Sequence, residues 1–102
     1  MSSNQNQNTA AETTSVDEGA QFSHTLIVPI QKDGGGTIST LTFDEPTIDD
    51  MILAEETSTG TNAHVVATLS RSCGITQGDF RKIKARDYNV ILRKAGPWLG
   101  NG

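Results

Sequence analysis

Two stretches of sequence, FSHTLIVPI at residues 22–30 and TISTLTF at residues 37–43, decide the fold of this chain. In the first stretch, every second position is held by Phe22, His24, Leu26, Val28 or Ile30. In the second, which Ile38 starts, Leu41 and Phe43 alternate with threonines. This alternation is the pattern of half-buried β-strands. The segment between them, Lys32-Asp-Gly-Gly-Gly36, supplies residues that tolerate the positive φ angles of a hairpin turn. Pro29 cannot donate a ladder hydrogen bond and therefore favours an edge position. Because a two-stranded hairpin alone is marginal in water, its apolar face must pack on helices or on another chain.

Capping residues and helical spacing predict that short helices follow the hairpin. Thr47, with Asp50 three positions later, is a variant of the capping box, so a first helix begins there. Thr61 or Asn62 can cap a second helix, and Gly74 can end it as a left-handed residue. The expected inner face of this second helix consists of Val65, Val66, Leu69 and Cys73.

A short turn and a last helix complete the predicted fold. Thr76 with Asp79 repeats the capping pattern, and the last helix runs from about Ala85 to Ala95 before Gly96-Pro97 ends it. Asp87 lies on the inner side of that helix, where we expect it to accept hydrogen bonds from a neighbouring turn and to have a structural role. The chain is thus predicted to be α+β, with an N-terminal β-hairpin packed on three or so short helices.

The first 21 residues differ in composition from the rest of the chain. Apart from Met1 and Val16 they contain no large apolar side chain, so they cannot bury enough surface to offset chain entropy. We therefore predict a disordered tail over residues 1–21 and a single small α+β domain over residues 22–102. The tail lacks the positive start and the apolar run of a signal peptide, and no stretch approaches the ~18 apolar residues of a membrane span. The sequence therefore predicts a soluble protein with no membrane partner, which stays in the compartment where it is made.

No group of residues selects a catalytic or metal site. Cys73 is the only cysteine, which excludes an internal disulfide, and we expect an inert core thiol. His24 and His64 have no accompanying ligand or nucleophile pattern, so we expect a surface or half-buried position for each. The acids within residues 44–50 lack the alternating ligand spacing of a calcium loop, and Gly34-Gly35-Gly36 lacks the Gly-Lys-Ser/Thr ending of a phosphate-binding loop. The sequence therefore predicts no enzymatic activity and no cofactor.

Charge is distributed unevenly along the chain. Residues 1–60 hold ten acidic side chains and one basic one, for a net charge of −9, whereas residues 61–102 hold seven basic and two acidic ones, for +5. Such a split can indicate an electrostatic partner, or two halves that attract each other. The bases around the last helix would also suit a small nucleic-acid-binding regulatory protein, although the chain is acidic overall and aromatic residues do not alternate with these bases. The basic residues are Arg81, Lys82, Lys84, Arg86, Arg93 and Lys94.

The order of these elements resembles the tail assembly chaperone family of Mu-like and P2-like contractile-tailed phages. The matching parts are the two strands with Asp33-Gly34 in the turn, Glu45-Pro46-Thr47 with Asp50, the segment from Leu69 to Gly74, and the segment from Ile83 to Tyr88. The resemblance covers roughly residues 22–95 and leaves the tail out. Three glycines in the turn and a long polar N-terminus depart from the family pattern, and neither changes the expected fold.

The resemblance implies a non-enzymatic role in phage or prophage tail morphogenesis, in the cytoplasm of a bacterial host. Members of the family are thought to hold the tape measure protein while the tail tube polymerises around it. The tape measure protein is therefore the expected partner of this chain. Tail tube components and further copies of the chain are additional candidates. We expect an apolar groove for an amphipathic helix, formed by the inner face of the hairpin with Met51 and Ile52. Trp98 and Leu99 either pack back onto the core or complete that groove.

Overall fold

The computed structural model describes residues 20–100 of the 102-residue chain. A β-hairpin is followed by helices, so the predicted α+β class is confirmed. Most of the predicted disordered tail, residues 1–19, lies outside the described residues, and Gln21, at its predicted end, is instead the first residue of a strand. The elements are strand β1 (Gln21–Gln31), strand β2 (Thr37–Asp44), helix α1 (Ile48–Glu56), helix α2 (Thr61–Cys73), helix α3 (Gln77–Phe80), helix α4 (Ala85–Ala95) and a 3₁₀ turn (Gly96–Leu99).

Strands β1 and β2 form an antiparallel hairpin with one irregular segment. Residues 21–25 pair with residues 40–44, and the register then shifts until Ile30, which pairs with Ile38. In the turn, Gly35 and Gly36 have φ angles of 102° and 92°, which confirms the predicted need for glycine there. The strands therefore stay paired at both ends of the hairpin, while part of β1 is free to bond elsewhere.

The inner face of the hairpin packs on the helices to form the core. The ring of Phe43 lies at its centre, stacked on Phe22 at 4.8 Å between centroids and edge-on to Phe80 at 6.4 Å. Such pairs contribute about 0.5–1.5 kcal/mol each beyond the area that they bury. The outward-facing Thr40 and Thr42 are exposed, as the alternating pattern predicts. The buried apolar residues of this cluster are Leu26, Ile30, Leu41, Phe43, Leu69, Phe80, Ile91 and Ala95.

The starts of α1 and α2 differ in how well the sequence predicted them. The hydroxyl of Thr47 accepts a hydrogen bond from the Asp50 amide at 3.1 Å, and the Asp50 carboxylate accepts one from the Thr47 amide at 2.9 Å, so the capping box is confirmed. Helix α2 is capped by Gly60, and the prediction of Thr61 or Asn62 is wrong. The chain turns into α2 with a φ of 90° at this position, which glycine adopts readily and other residues rarely do.

The end of α2 follows the prediction. Gly74 has a φ of 76°, and its amide donates to the carbonyl oxygens of Ser70 and Arg71. The Ile75 amide also donates to Ser70, which completes a Schellman motif. Helix α3 begins directly afterwards, capped by the hydroxyl of Thr76 as predicted. This tight connection carries the chain from α2 into α3, the helix that supplies Phe80 to the core.

A candidate partner-binding surface

Helix α1 leaves one apolar side in solvent. Ile48, Met51 and Ile52 follow one another at i, i+3 and i+4, so they lie on the same side of the helix. Their side chains are 77%, 40% and 47% exposed, respectively. The opposite side contains the buried Ala54 and the half-buried Leu53, and α1 packs against α2. We call the three exposed residues the α1 stripe; a cluster of exposed apolar side chains of this kind indicates an interaction surface.

A groove lies beside the α1 stripe, between α1, α2 and the C-terminal 3₁₀ turn. Hydrogen bonds hold its wall in place: the His64 ring bonds to the carbonyl oxygen of Ser58 at 3.1 Å, and the Thr68 hydroxyl donates to the carbonyl oxygen of His64 at 2.8 Å. The groups available to an apolar ligand come mainly from Met51, Val65 and Leu99. The groove has a volume of about 200 Å³ and is lined by Met51, Glu55, Thr61, His64, Val65, Thr68 and Leu99.

The structure brings together only some of the residues that the sequence proposed for binding. Met51 and Leu99 line the same groove, and Ile52 lies next to it on α1 but outside its lining. The ring of Trp98 instead stacks on Phe22, at 5.1 Å between centroids. Ile48 was missed as a binding candidate, although its spacing from Met51 and Ile52 places it on the same side of α1.

One part of the predicted groove is wrong. The inner face of the hairpin was expected to contribute to it, but Leu26 and Phe43 on this face are 5% and 0% exposed. The hairpin covers its apolar face with helices of the same chain, so no large part of that face remains for a partner. Three of the four large apolar side chains that are exposed among the described residues lie on α1.

The exposed side of α1 is acidic. Asp49, Glu55 and Glu56 are exposed, and the only other acid of the helix, Asp50, pairs with Arg71 at 3.1 Å. The amide of Thr47, together with Arg71, holds the pKa of Asp50 below its usual range. Asp50 is therefore committed to the helix cap, and the remaining three acids are available to solvent or to a partner.

Asp87 on α4 is fully buried and binds three groups of β1. Its carboxylate accepts the amides of Ile27 and Val28 at 2.9 and 3.2 Å and lies 2.8 Å from Nε2 of His24. Burial would raise the pKa of Asp87, but the hydrogen bonds from Ile27, His24 and Val28 outweigh this effect and hold the pKa below its usual range. The contacts support the expected structural role. The expectation of a surface or half-buried His24 is wrong, because this carboxylate holds the ring in the interior.

Two other features bear on chemistry, namely the Cys73 thiol and the grouping of possible metal ligands. The Cys73 thiol is half-buried, and burial raises its pKa to about 11, so the thiol stays protonated and unreactive near neutral pH. Between residues 20 and 100, no group of three or more histidine, cysteine or acidic side chains is placed to hold a metal ion. Along the same stretch, no helix combines the length and the apolar character needed to cross a membrane.

The predicted basic surface is partly used inside the molecule. The Lys82 ammonium group lies 2.7 Å from the Asp33 carboxylate and 3.0 Å from that of Asp79. The Lys94 ammonium group lies 5.7 Å from the centre of the Phe22 ring and donates to the carbonyl oxygen of Ser23 at 3.1 Å. Two of the six bases therefore fasten the helices to the hairpin, which weakens the argument for a nucleic-acid surface.

Comparison with known proteins agrees with the order of the elements described above. Residues 23–96 match the model of the family described as phage tail assembly chaperone proteins, E, or 41 or 14. Searches of curated proteins and of solved structures gave no match. The matched region includes nearly all of the hairpin and all four helices, which confirms the resemblance seen in the sequence. The chain belongs to the phage tail assembly chaperone family.

Proposed function

We propose that this chain binds the tape measure protein during tail assembly in the cytoplasm of a bacterial host, and that it acts by binding rather than by enzymatic chemistry. Membership of the family supplies the general role. The observation that carries the specific proposal is the α1 stripe, which leaves three large apolar side chains in solvent on one side of a helix. A chaperone needs such a surface in order to cover the exposed apolar face of a client.

The α1 stripe suits an amphipathic helix as its ligand. Helices pack by setting ridges of side chains into grooves, and residues at i, i+3 and i+4 form such a ridge. The groove beside Met51, with Val65 and Leu99 among its lining residues, can receive a side chain of the bound helix. Methionine adapts its shape to different neighbours, which allows one surface to accept several segments of a long client.

The energy available from the α1 stripe indicates a weak contact for each copy. Full burial of a large aliphatic side chain contributes about 1.5–3 kcal/mol, so the partly exposed Ile48, Met51 and Ile52 together supply about 3 kcal/mol. Association entropy opposes this gain. We therefore propose that several copies hold one tape measure protein, since linked sites bind far more tightly than a single site does.

A double substitution in the α1 stripe tests this proposal. Met51→Ser with Ile52→Ser should weaken binding to helical segments of the tape measure protein of the same phage by about ten-fold or more, because it removes most of the apolar contact. Isothermal titration calorimetry measures this effect. The matched control is Ile27→Ser, which changes an exposed apolar residue of β1 and should bind like the wild type.

Stability measurements separate a binding defect from a folding defect. All three substituted residues are at least 40% exposed, so the melting temperatures should stay within a few degrees of the wild type. An unchanged affinity of the double variant would contradict the α1 stripe as the binding site. Failure of the wild-type chain to bind any segment would contradict the tape measure protein as the partner.

A further inference from the structure

A second apolar pocket lies between α2, α3 and α4. Its volume is about 310 Å³, near the lower end of the range for small-ligand sites, which begins at roughly 300 Å³. Apart from Arg81 and the hydroxyl of Tyr88, its side chains are apolar, so it suits the apolar side chains of another protein better than a polar metabolite. We call it the α4 pocket; it is lined by Val66, Phe80, Arg81, Ile83, Ala85 and Tyr88.

Exposed basic residues accompany the α4 pocket. Arg81 lines it, and Lys84 and Arg86 flank its residue Ala85 along the chain. Lys84 and Arg86 lie at the N-terminus of α4, where the helix dipole favours negative charge. The acid of this first turn, Asp87, has its carboxylate bound to β1. The stability of α4 itself therefore does not explain the basic charge.

The α1 stripe carries charge of the opposite sign. Helical spacing places Asp49, Glu55 and Glu56 on the same solvent-facing side as the stripe, and α1 contains no basic residue. Glu55 and Glu56 occupy the last turn of α1, where the helix dipole favours positive charge. Glu55 and Glu56 beside the α1 stripe, and Lys84 and Arg86 beside the α4 pocket, thus lie at helix ends whose dipoles disfavour their charges. The two sets of charges are complementary.

We propose that the α1 stripe of one copy of this chain docks into the α4 pocket of a second copy, with Glu55 and Glu56 facing Arg81, Lys84 and Arg86. The contact covers two apolar surfaces at once and neutralises charge on both. It joins two different surfaces, so it is a heterologous contact. The pairing does not depend on the identity of the client. A client bound at α1 would compete with it, so self-association covers the α1 stripe until the client arrives.

Two charge variants test the contact without harm to the fold. The double variant Glu55→Lys, Glu56→Lys places positive charge at the C-terminus of α1, and Ala85→Glu places negative charge at the exposed first position of α4. Helix dipoles favour both changes, so the melting temperatures should be unchanged or higher. In sedimentation velocity at low salt the wild-type chain should self-associate as its concentration rises. Each variant alone should self-associate about ten-fold more weakly or worse.

An equimolar mixture of the two variants gives the decisive measurement. The Ala85→Glu copy keeps an intact α1, and the Glu55→Lys, Glu56→Lys copy keeps an intact α4 pocket, so the mixture should form a dimer and nothing larger. Ile27→Ser is the control and should associate like the wild type. A monomeric wild-type chain, a variant that associates as strongly as the wild type, a weakened control or a monomeric mixture would each overturn the proposal. Since no tape measure peptide is present, these outcomes leave the proposed function unaffected.

Discussion

At the position of Asp87, one side chain takes over part of the hydrogen bonding of a β-sheet. The register of the hairpin shifts between Thr25 and Ile30, and two amides of that segment, those of Ile27 and Val28, bond to the Asp87 carboxylate. Buried amides need such acceptors, because an unpaired one costs free energy. The carboxylate therefore joins α4 to β1 at the point where the strands themselves cannot pair.

Replacement of Asp87 by alanine should destabilise the fold. Each buried donor left without an acceptor costs about 1–3 kcal/mol, so we expect a loss of about 3 kcal/mol in the free energy of unfolding. For a domain of this size the melting temperature should fall by more than about 10 °C, as measured by circular dichroism. Asn89→Ala, at an exposed position of the same helix, is the control and should change the melting temperature little.

The difference in stability between the wild type and Asp87→Ala should narrow in acid. The pKa of Asp87 is lower in the folded chain than in the unfolded chain, where it is about 3.9. The ionised carboxylate therefore contributes fully to the free energy of unfolding above about pH 3.9. This contribution is lost as the pH falls through the lower pKa of the folded chain. Urea denaturation of both proteins between about pH 6 and pH 2 measures this difference. If the difference in the free energy of unfolding between the two proteins stays constant over the whole pH range, the charge of Asp87 does not contribute to stability.

At the scale of the elements, two glycines lie on either side of the connection between α2 and α3. Gly74 ends α2 in the left-handed conformation, with a φ of 76°, whereas Gly78 lies inside α3 and has no such requirement. A methyl group at position 74 would touch nothing within 4 Å, and at position 78 it would meet Asp33 and Thr76 at an ordinary distance of 3.9 Å. Backbone conformation alone therefore decides what alanine does at each position.

The two alanine substitutions should have opposite effects. Gly74→Ala forces a side chain into the left-handed region and should destabilise the fold by about 1 kcal/mol. Gly78→Ala favours the helix and reduces the entropy of the unfolded chain, so it should stabilise by about 0.5–1 kcal/mol. Chemical denaturation curves of the two variants measure both values. Effects of the same sign would mean that the helix boundaries differ from those described.

At the scale of the whole molecule, the end of the described chain packs against its beginning. Trp98, in the 3₁₀ turn, stacks on Phe22 in β1, and Phe22 stacks on Phe43 in the core. Leu99 lies in the groove beside α1. The C-terminal turn thus contributes to both the core and the candidate binding surface. The sequence allowed Trp98 and Leu99 either to pack on the core or to complete the groove. In the structure Trp98 packs on the core and Leu99 lines the groove.

Trp98→Ala should therefore act mainly on stability. Loss of a half-buried aromatic ring and its stacking contact should cost about 2 kcal/mol and lower the melting temperature by about 8 °C or more. Affinity for the tape measure segments, measured well below the melting temperature, should change less than two-fold by our estimate. Arg93→Ala, at an exposed position of α4, is the control. A large loss of affinity with unchanged stability would assign Trp98 to the binding surface.

The sequence by itself determined those features that depend on residues a few positions apart. Four local features appear in the structure where their patterns predict them. They are the alternation of the strands, the glycine turn, the capping box at Thr47 and the left-handed end of α2 at Gly74. The family could also be identified from the order of these signals. At Gly60 a local rule failed, because the direction in which the chain approaches α2 requires a positive φ that outweighs the hydrogen bond of a polar cap.

Only the tertiary structure decided which surfaces are covered and which groups are paired. His24 and Asp87 are 63 residues apart, and no local pattern brings their side chains together. The spacing of Ile48, Met51 and Ile52 fits a core face as well as a docking face. The hairpin fills its core from α2, α3 and α4, so the stripe of α1 stays in solvent. Burial depends on all the chain segments that compete for the same core. The outcome of that competition cannot be predicted from any single stretch of sequence.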